Sequence, residues 1–169
     1  RLYKHILGDR LIDVATDLGV DQTTGGRALI AGPIISPPGH TDLFAATENG
    51  PNLLFLDVST STVGDVASDL GITDEGSHGR GTAIISTGTG AEFGIVATNW
   101  QDEHRFWVLD MLGTFLDVAS PDLRRPSAAR NVVVADFDNC GNAEILINNM
   151  DQPNRLLKYI DGQWVRIDA

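Results

Sequence analysis

The residues best suited to chemistry lie in one short loop, Asp136-Phe137-Asp138-Asn139-Cys140-Gly141-Asn142-Ala143-Glu144. Carboxylates at its first, third and ninth positions offer hard oxygen donors of the kind that surround calcium. The fifth position is Cys140, whose neutral thiol is a poor ligand for a hard cation. Apolar runs flank the loop, "VVVA" before it and "ILI" after it. The residues alone leave three readings open: a working metal site, an eroded one, or a tight turn between two strands. An EF-hand is excluded, because its twelfth loop residue must be a bidentate Glu followed by a helix. Here that position is Ile147, inside the β-rich "EILINN".

No other constellation points to catalysis. His5, His40, His78 and His104 fall in no metal-ligand spacing, and there is no GxSxG nucleophile elbow. The stretch "GTAIISTGTG" (81–90) lacks the Lys-Ser/Thr and the helix of a phosphate loop, so a turn between strands is expected there. Cys140 has no evident base beside it in sequence, and a small residue in a turn is the expectation. The chain is expected not to be an enzyme.

Composition narrows the classes further. The 169 residues suit one domain, and the 42% hydrophobic content suits a folded one. A net charge of −11 argues against nucleic acid, whose phosphates need clustered Lys and Arg. No apolar run is long enough to cross a bilayer as a helix. A single cysteine excludes an internal disulfide and a Cys-based zinc site, and leaves the redox compartment open. The chain begins with Arg and shows no signal-like segment, so it is expected to be a processed product or part of a longer polypeptide.

The elements that must hold the loop emerge from an internal repeat. "RLIDVATDLGV" (10–20), "TVGDVASDLGI" (62–72), "TFLDVASPDL" (114–123) and "QWVRIDA" (163–169) align on Asp13, Asp65, Asp117 and Arg166, at spacings of 52, 52 and 49. Arg27, Arg80 and Arg130 form a second marker, at spacings of 53 and 50. Each period breaks into short apolar runs with Gly, Pro, Asn or Asp between them, the pattern of strands and turns. Four strands in about 40–50 residues is the composition of a β-propeller blade. The expected fold is all-β, with about three and a half blades of four antiparallel strands in an open or incomplete propeller. Residues 1–24 give the last two strands of an incomplete blade, and 25–77, 78–127 and 128–169 give complete ones. The "DVA-SDLG" segments also fit short amphipathic helices ending at Gly19 and Gly71; a strand through "DVA" with a helical turn at "SDLG" combines the two.

The loop and its tail "QPNRLLKYIDGQWVRI" resemble the FG-GAP/VCBS repeat, and "RLYKHILGDRLIDVATDLGV" is similar to the same tail. The resemblance covers nearly the whole chain and implies a β-propeller, with calcium loops between the first two strands of each blade. Its ligand positions fall on Asp136, Asp138, Cys140, Asn142 (through its carbonyl) and Glu144. In the first repeat they fall on Ile34, Ser36, Pro38, His40 and Asp42, and in the second on Ser86, Gly88, Gly90, Glu92 and Gly94. Two of the three loops have thus lost the chemistry. The third keeps Asp136, Asp138, Asn142 and Glu144, enough for weak calcium with water in the fifth place. The family is mostly secreted or lumenal, which implies an extracellular, periplasmic or organelle-lumen location.

An open fan would leave strand edges exposed, so other subunits or the remainder of a longer chain are the expected partners. Propeller topology gathers Trp100, Gln101, Asp102, Glu103 and His104 with Asp74, Glu75, His78, Arg124 and Arg125 on one face. Trp100, His104, Arg124 and Arg125 are the candidate partner-binding residues, and Trp107 and Trp164 the candidate core. The expected function is a non-catalytic protein-binding or assembly module. The alternative is a carbohydrate-recognition propeller in which Trp100 stacks on a sugar; a catalytic domain elsewhere on a longer chain is a third reading.

Overall fold

The computed structural model describes residues 1–59, 63–86 and 93–168. The glycine-rich turn expected at 87–92, with Gly88, Gly90 and Glu92, lies outside them, as does Thr62. Nearly everything regular is strand, and among the described residues the only helices are two four-residue turns, α1 (Ala15–Leu18) and α2 (Pro121–Arg124). The all-β expectation holds.

The strands follow the sequence period. β1 (Tyr3–Ile6) and β2 (Arg10–Asp13) form a hairpin. β3 (Gly26–Gly32), β4 (Asp42–Thr47) and β5 (Leu53–Phe55) form an antiparallel sheet. β6 (Gly79–Ser86), β7 (Phe93–Asp102), β8 (Arg105–Leu109) and β9 (Phe115–Asp117) form a four-stranded antiparallel meander. β10 (Ser127–Ala135), β11 (Glu144–Asn149), β12 (Arg155–Ile160) and β13 (Gln163–Arg166) form another. Two features depart from the expectation of equal, separate sheets. The fourth strand of the first unit shrinks to a single bridge, Phe55 with Asp65. The second and third units join through a parallel pairing of β7 with β10 at Trp100 and Ser127, giving one eight-stranded sheet.

Alternation along the strands decides how the units stack. On β7, Ile95 and Ala97 point into a core with Phe44, Leu54, Ile72 and Trp107, whereas Val96 points into a core with Phe106, Ile145, Ile147, Leu157 and Trp164. The second unit is therefore covered on both faces. Each large side chain buried this way contributes about 1.5–3 kcal/mol of transfer free energy. Edge-on aromatic pairs cross both seams, Phe44–Trp107 at 6.0 Å and Phe106–Trp164 at 5.9 Å. Trp107 and Trp164 are core residues, as their strand positions suggested.

Three backbone devices recur in register. Asp13, Asp65 and Asp117 each accept from the N–H two residues on (Ala15, Ala67, Ala119) and from the N–H eleven residues back (Leu2, Leu54, Phe106). The recurring aspartate thus ties the last strand of a unit to the strand before it. In the last copy Arg166 does occupy the aligned place, opposite Leu157 as Asp117 is opposite Trp107. The carboxylate role moves to Asp168, which accepts from Leu156 N at 2.8 Å and pairs with the Arg166 guanidinium. The helical turn after "DVA" appears twice, closed by left-handed glycines Gly19 (φ 77°) and Gly71 (φ 75°). Glycine is the residue that enters that region without a Cβ penalty.

The turn between the second and third strands is the last device. Thr47, Asn99 and Asn149 each donate a side-chain hydrogen bond to the carbonyl four residues on. Asn52, His104 and Asn154 each accept from the backbone N–H five residues back. Between them, Asn49, Gln101 and Asp151 all adopt positive φ (62°, 58° and 55°).

Candidate functional site

The acidic loop 136–144 connects β10 to β11 and opens beside a cleft of about 880 Å³ between the second and third units, lined in part by Phe106, Val108, Tyr159 and Trp164. Its donor atoms converge: carboxylate oxygens of Asp136, Asp138 and Glu144 and the Cys140 sulfur lie within 4.8 Å of one another. That span matches the coordination shell of calcium, with ligand oxygens about 2.3–2.6 Å from the ion.

The interior of the cluster already holds a cation. The Lys158 ammonium, from β12, contacts Asp138 Oδ2 and lies 3.3 Å from Glu144 Oε1 and 3.4 Å from Cys140 Sγ. The Lys158 ion pair holds the Asp138 carboxyl down to about 2, with help from Cys140, and Asp138 in turn raises the Lys158 pKa. Both Asp136 oxygens accept backbone N–H groups, Cys140 N at 3.0 Å and Gly141 N at 2.8 Å. Glu144 is almost fully buried and accepts Phe137 N at 2.8 Å on Oε2. The donors of this loop thus converge on an ammonium and on backbone amides, with a thiol in the fifth place. A second, doubly charged cation there would face like-charge repulsion at contact distance.

The first loop uses its one surviving acid differently. Asp42 is fully buried and accepts Ile35 N, Ser36 N, Ser36 Oγ and Asp57 N at 2.5–2.9 Å. Burial alone would raise its pKa, but the Ser36 hydroxyl and the three amides hold it below its ordinary value. Ile35 N to Asp42 and Phe137 N to Glu144 are the same contact in two units, so the ninth-position acid ties down the loop with or without a metal.

The expected partner face is partly assembled. Asp74 receives Arg105 Nε at 2.8 Å and Asn99 Nδ2 at 2.7 Å, and Glu103 and Asp117 both reach Arg105 and Arg124. His78 lies 3.7 Å from Asp102, and Arg125 stands exposed after α2. His104 is the exception. It was expected on this surface but is fully buried. Its Nδ1 accepts Asn99 N at 3.0 Å, which leaves the proton on Nε2 to donate to Ser127 Oγ at 2.9 Å. Ser127 donates to Asn149 Oδ1 and also accepts Arg155 Nη2. Burial and then the Arg155 charge lower the His104 pKa to about 3. The same burial, with Arg166 and Arg125 nearby, lowers Arg155 to about 10.

Trp100 sits at the end of β7, half-buried, with Arg130 and Arg80 lying over its ring at 4.5 and 5.8 Å. These contacts belong to a continuous ladder. Arg27 and Arg80 both reach Glu48, Arg80 and Arg130 both reach Trp100, and Arg130 meets Met150 Sδ. Each arginine on a first strand thus contacts the residue at the end of its own unit's second strand. Arg80 and Arg130 also contact the preceding unit's equivalent. Sequence periodicity exposed these arginines, but not their role. Lys158 escaped notice because only the β11–β12 register, Ile145 opposite Leu157, brings it beside Glu144.

No family model matches the chain. It is 40% identical over 157 residues to cartilage acidic protein 1 of Homo sapiens, an alignment covering 89% of this chain and 24% of that protein. The same protein of Mus musculus is 38% identical over 157 residues, and that of Xenopus tropicalis 38% over 143 residues. The chain spans about a quarter of the length of these curated relatives. Over most of its length, this acidic all-β chain is similar to one segment of cartilage acidic protein 1.

Proposed function

We propose that the chain is a non-catalytic assembly segment of a longer extracellular protein, built from FG-GAP/VCBS-type propeller blades. One observation carries the reading: the stack of units ends in apolar residues on both sides. At one end the β1–β2 hairpin exposes Tyr3, Leu11 and Ile12; at the other the third unit exposes Val133 and Ile167. Two successive seams share one contact 52 residues apart: Val63 N donates to the Leu18 carbonyl as Phe115 N does to the Leu70 carbonyl. Further blades, or equivalent protein surfaces, would cover the ends as the second unit is covered by its neighbours. The relatives' name refers to cartilage, and their length leaves room for such blades.

The test is sedimentation velocity of this chain across a concentration series. Self-association that weakens in Leu11→Lys and Val133→Lys variants is expected. A monodisperse 18.1 kDa particle at all concentrations would refute the reading.

A further inference from the structure

Among the described residues, the only carboxylate–thiol cluster able to surround a cation has a lysine inside it. Three observations make that lysine part of the site's design. First, Lys158 Nζ touches three of the four donor residues: Asp138, Cys140 and Glu144. Second, Glu144 is almost fully buried, and its Oε1 makes no hydrogen bond, so the ammonium 3.3 Å away is the positive charge nearest to it. A buried carboxylate without a countercharge is strongly destabilising. Third, the substitutions travel together within this one chain. The strand positions equivalent to Lys158 are Leu56 and Val108, spaced by 52 and 50 residues. Those two units carry no Asp-x-Asp loop. Lysine appears only in the unit that keeps the acids, and that unit has exchanged its fifth-position ligand for a thiol that accepts from the ammonium.

We infer that Lys158 is a built-in monovalent cation that takes the place of a divalent metal in the 136–144 loop, making the loop independent of calcium. The tethered ammonium supplies the charge that Asp138 and Glu144 need. Cys140 tolerates its approach where a fifth-position aspartate would favour a divalent ion. The acids persist because they hold the loop shut from within, with Asp136 bound to the amides of Cys140 and Gly141.

The experiment uses the full chain, calcium chloride and a chelator, with calorimetric titration and thermal melting as readouts. For the wild type, no binding heat and the same Tm with chelator or millimolar calcium are expected. Lys158→Leu, the residue of the first unit, should lose about 5 °C in chelator and regain most of it in calcium. Lys158→Leu combined with Cys140→Asp should bind calcium more tightly still. If Lys158→Leu folds only when calcium is added, that rescue supports the inference, and failure of calcium to rescue it counts against. Calcium binding by the wild type at millimolar concentration would overturn the inference. So would a folded double variant that binds none.

Discussion

Acid should destabilise this chain through one imidazole, and a substitution already used by its sister units should remove the effect. His104 is fully buried with a pKa of about 3, whereas in the unfolded chain it titrates near 6.5. Below pH 6.5 the unfolded state therefore binds a proton that the folded state refuses, and acid favours unfolding. The stability is whole above 6.5 and is lost as the pH falls toward 3. Each pH unit in that window is worth about 1.4 kcal/mol, so roughly 2 kcal/mol is gone by about pH 5. The structural cause is specific: a proton on Nδ1 would point at the Asn99 N–H that this nitrogen now accepts, beside the Arg155 charge. Asn52 and Asn154 close the equivalent turns with a carbonyl oxygen that does not titrate in this range. His104→Asn should fold, lose about 1 kcal/mol at neutral pH with the Ser127 contact, and show a flatter acid limb. Denaturant unfolding of both proteins from about pH 7.5 to 5 gives the difference directly, since every other titrating group is common to the two. Parallel curves would refute the argument, because the slope of the difference belongs to His104 alone.

Gly81→Ala should cost about 1–3 kcal/mol, because a Cβ there would lie 2.8 Å from Asn131 Cα and Val132 N on β10. Gly26→Ala, whose nearest neighbour is the Thr24 hydroxyl at 3.7 Å, should be mild; thermal melts of the pair check the close approach of first strands. Asp65→Ala should lose about 1–3 kcal/mol by denaturant unfolding, since it strips the acceptor from the amides of buried Leu54 and Ala67. Arg80→Met should lower Tm by about 5 °C, and Arg27→Met by no more than about 2 °C. The difference follows from side-chain exposures of 11% and 53%; equal shifts would remove the ladder from the stability account.

What could be read in advance depended on whether a contact shows itself as spacing. Asp13, Asp65 and Asp117 stand out because their hydrogen bonds reach the same sequence distances in each copy. Gly19 and Gly71 mark their helical turns because a left-handed position leaves little choice of residue. The two faces of β7 were not legible as a period of two, because both are buried and Ile95, Val96 and Ala97 form one continuous apolar run. Lys158 was not legible, because its partners lie 14 to 20 residues away and meet it only once β11 and β12 take their register. His104 sits in the polar string "NWQDEH" and resembles a surface residue. Its burial follows from sharing a turn position with Asn52 and Asn154, a third marker at spacings of 52 and 50 that the first two could have revealed. The last copy misled in a smaller way: its carboxylate moves two residues on to Asp168, so the residue aligned by register is not the one that carries the bond.

The arginine ladder gives the array a polarity. Arg80 and Arg130 reach back toward Glu48 and Trp100 of the unit before, so each joint is head-to-tail, with donor and receptor on different edges. A unit can then be duplicated or exchanged only if it brings an arginine on its first strand and an acid or aromatic at the end of its second. Tandem duplication of a complete unit, or exchange of one complete unit for another, keeps an arginine facing a receptor at every such joint. Glu48, Trp100 and Met150 are an anion, an aromatic ring and a thioether. Three chemically unlike groups that accept the same cation are thus interchangeable parts in a joint whose direction is fixed.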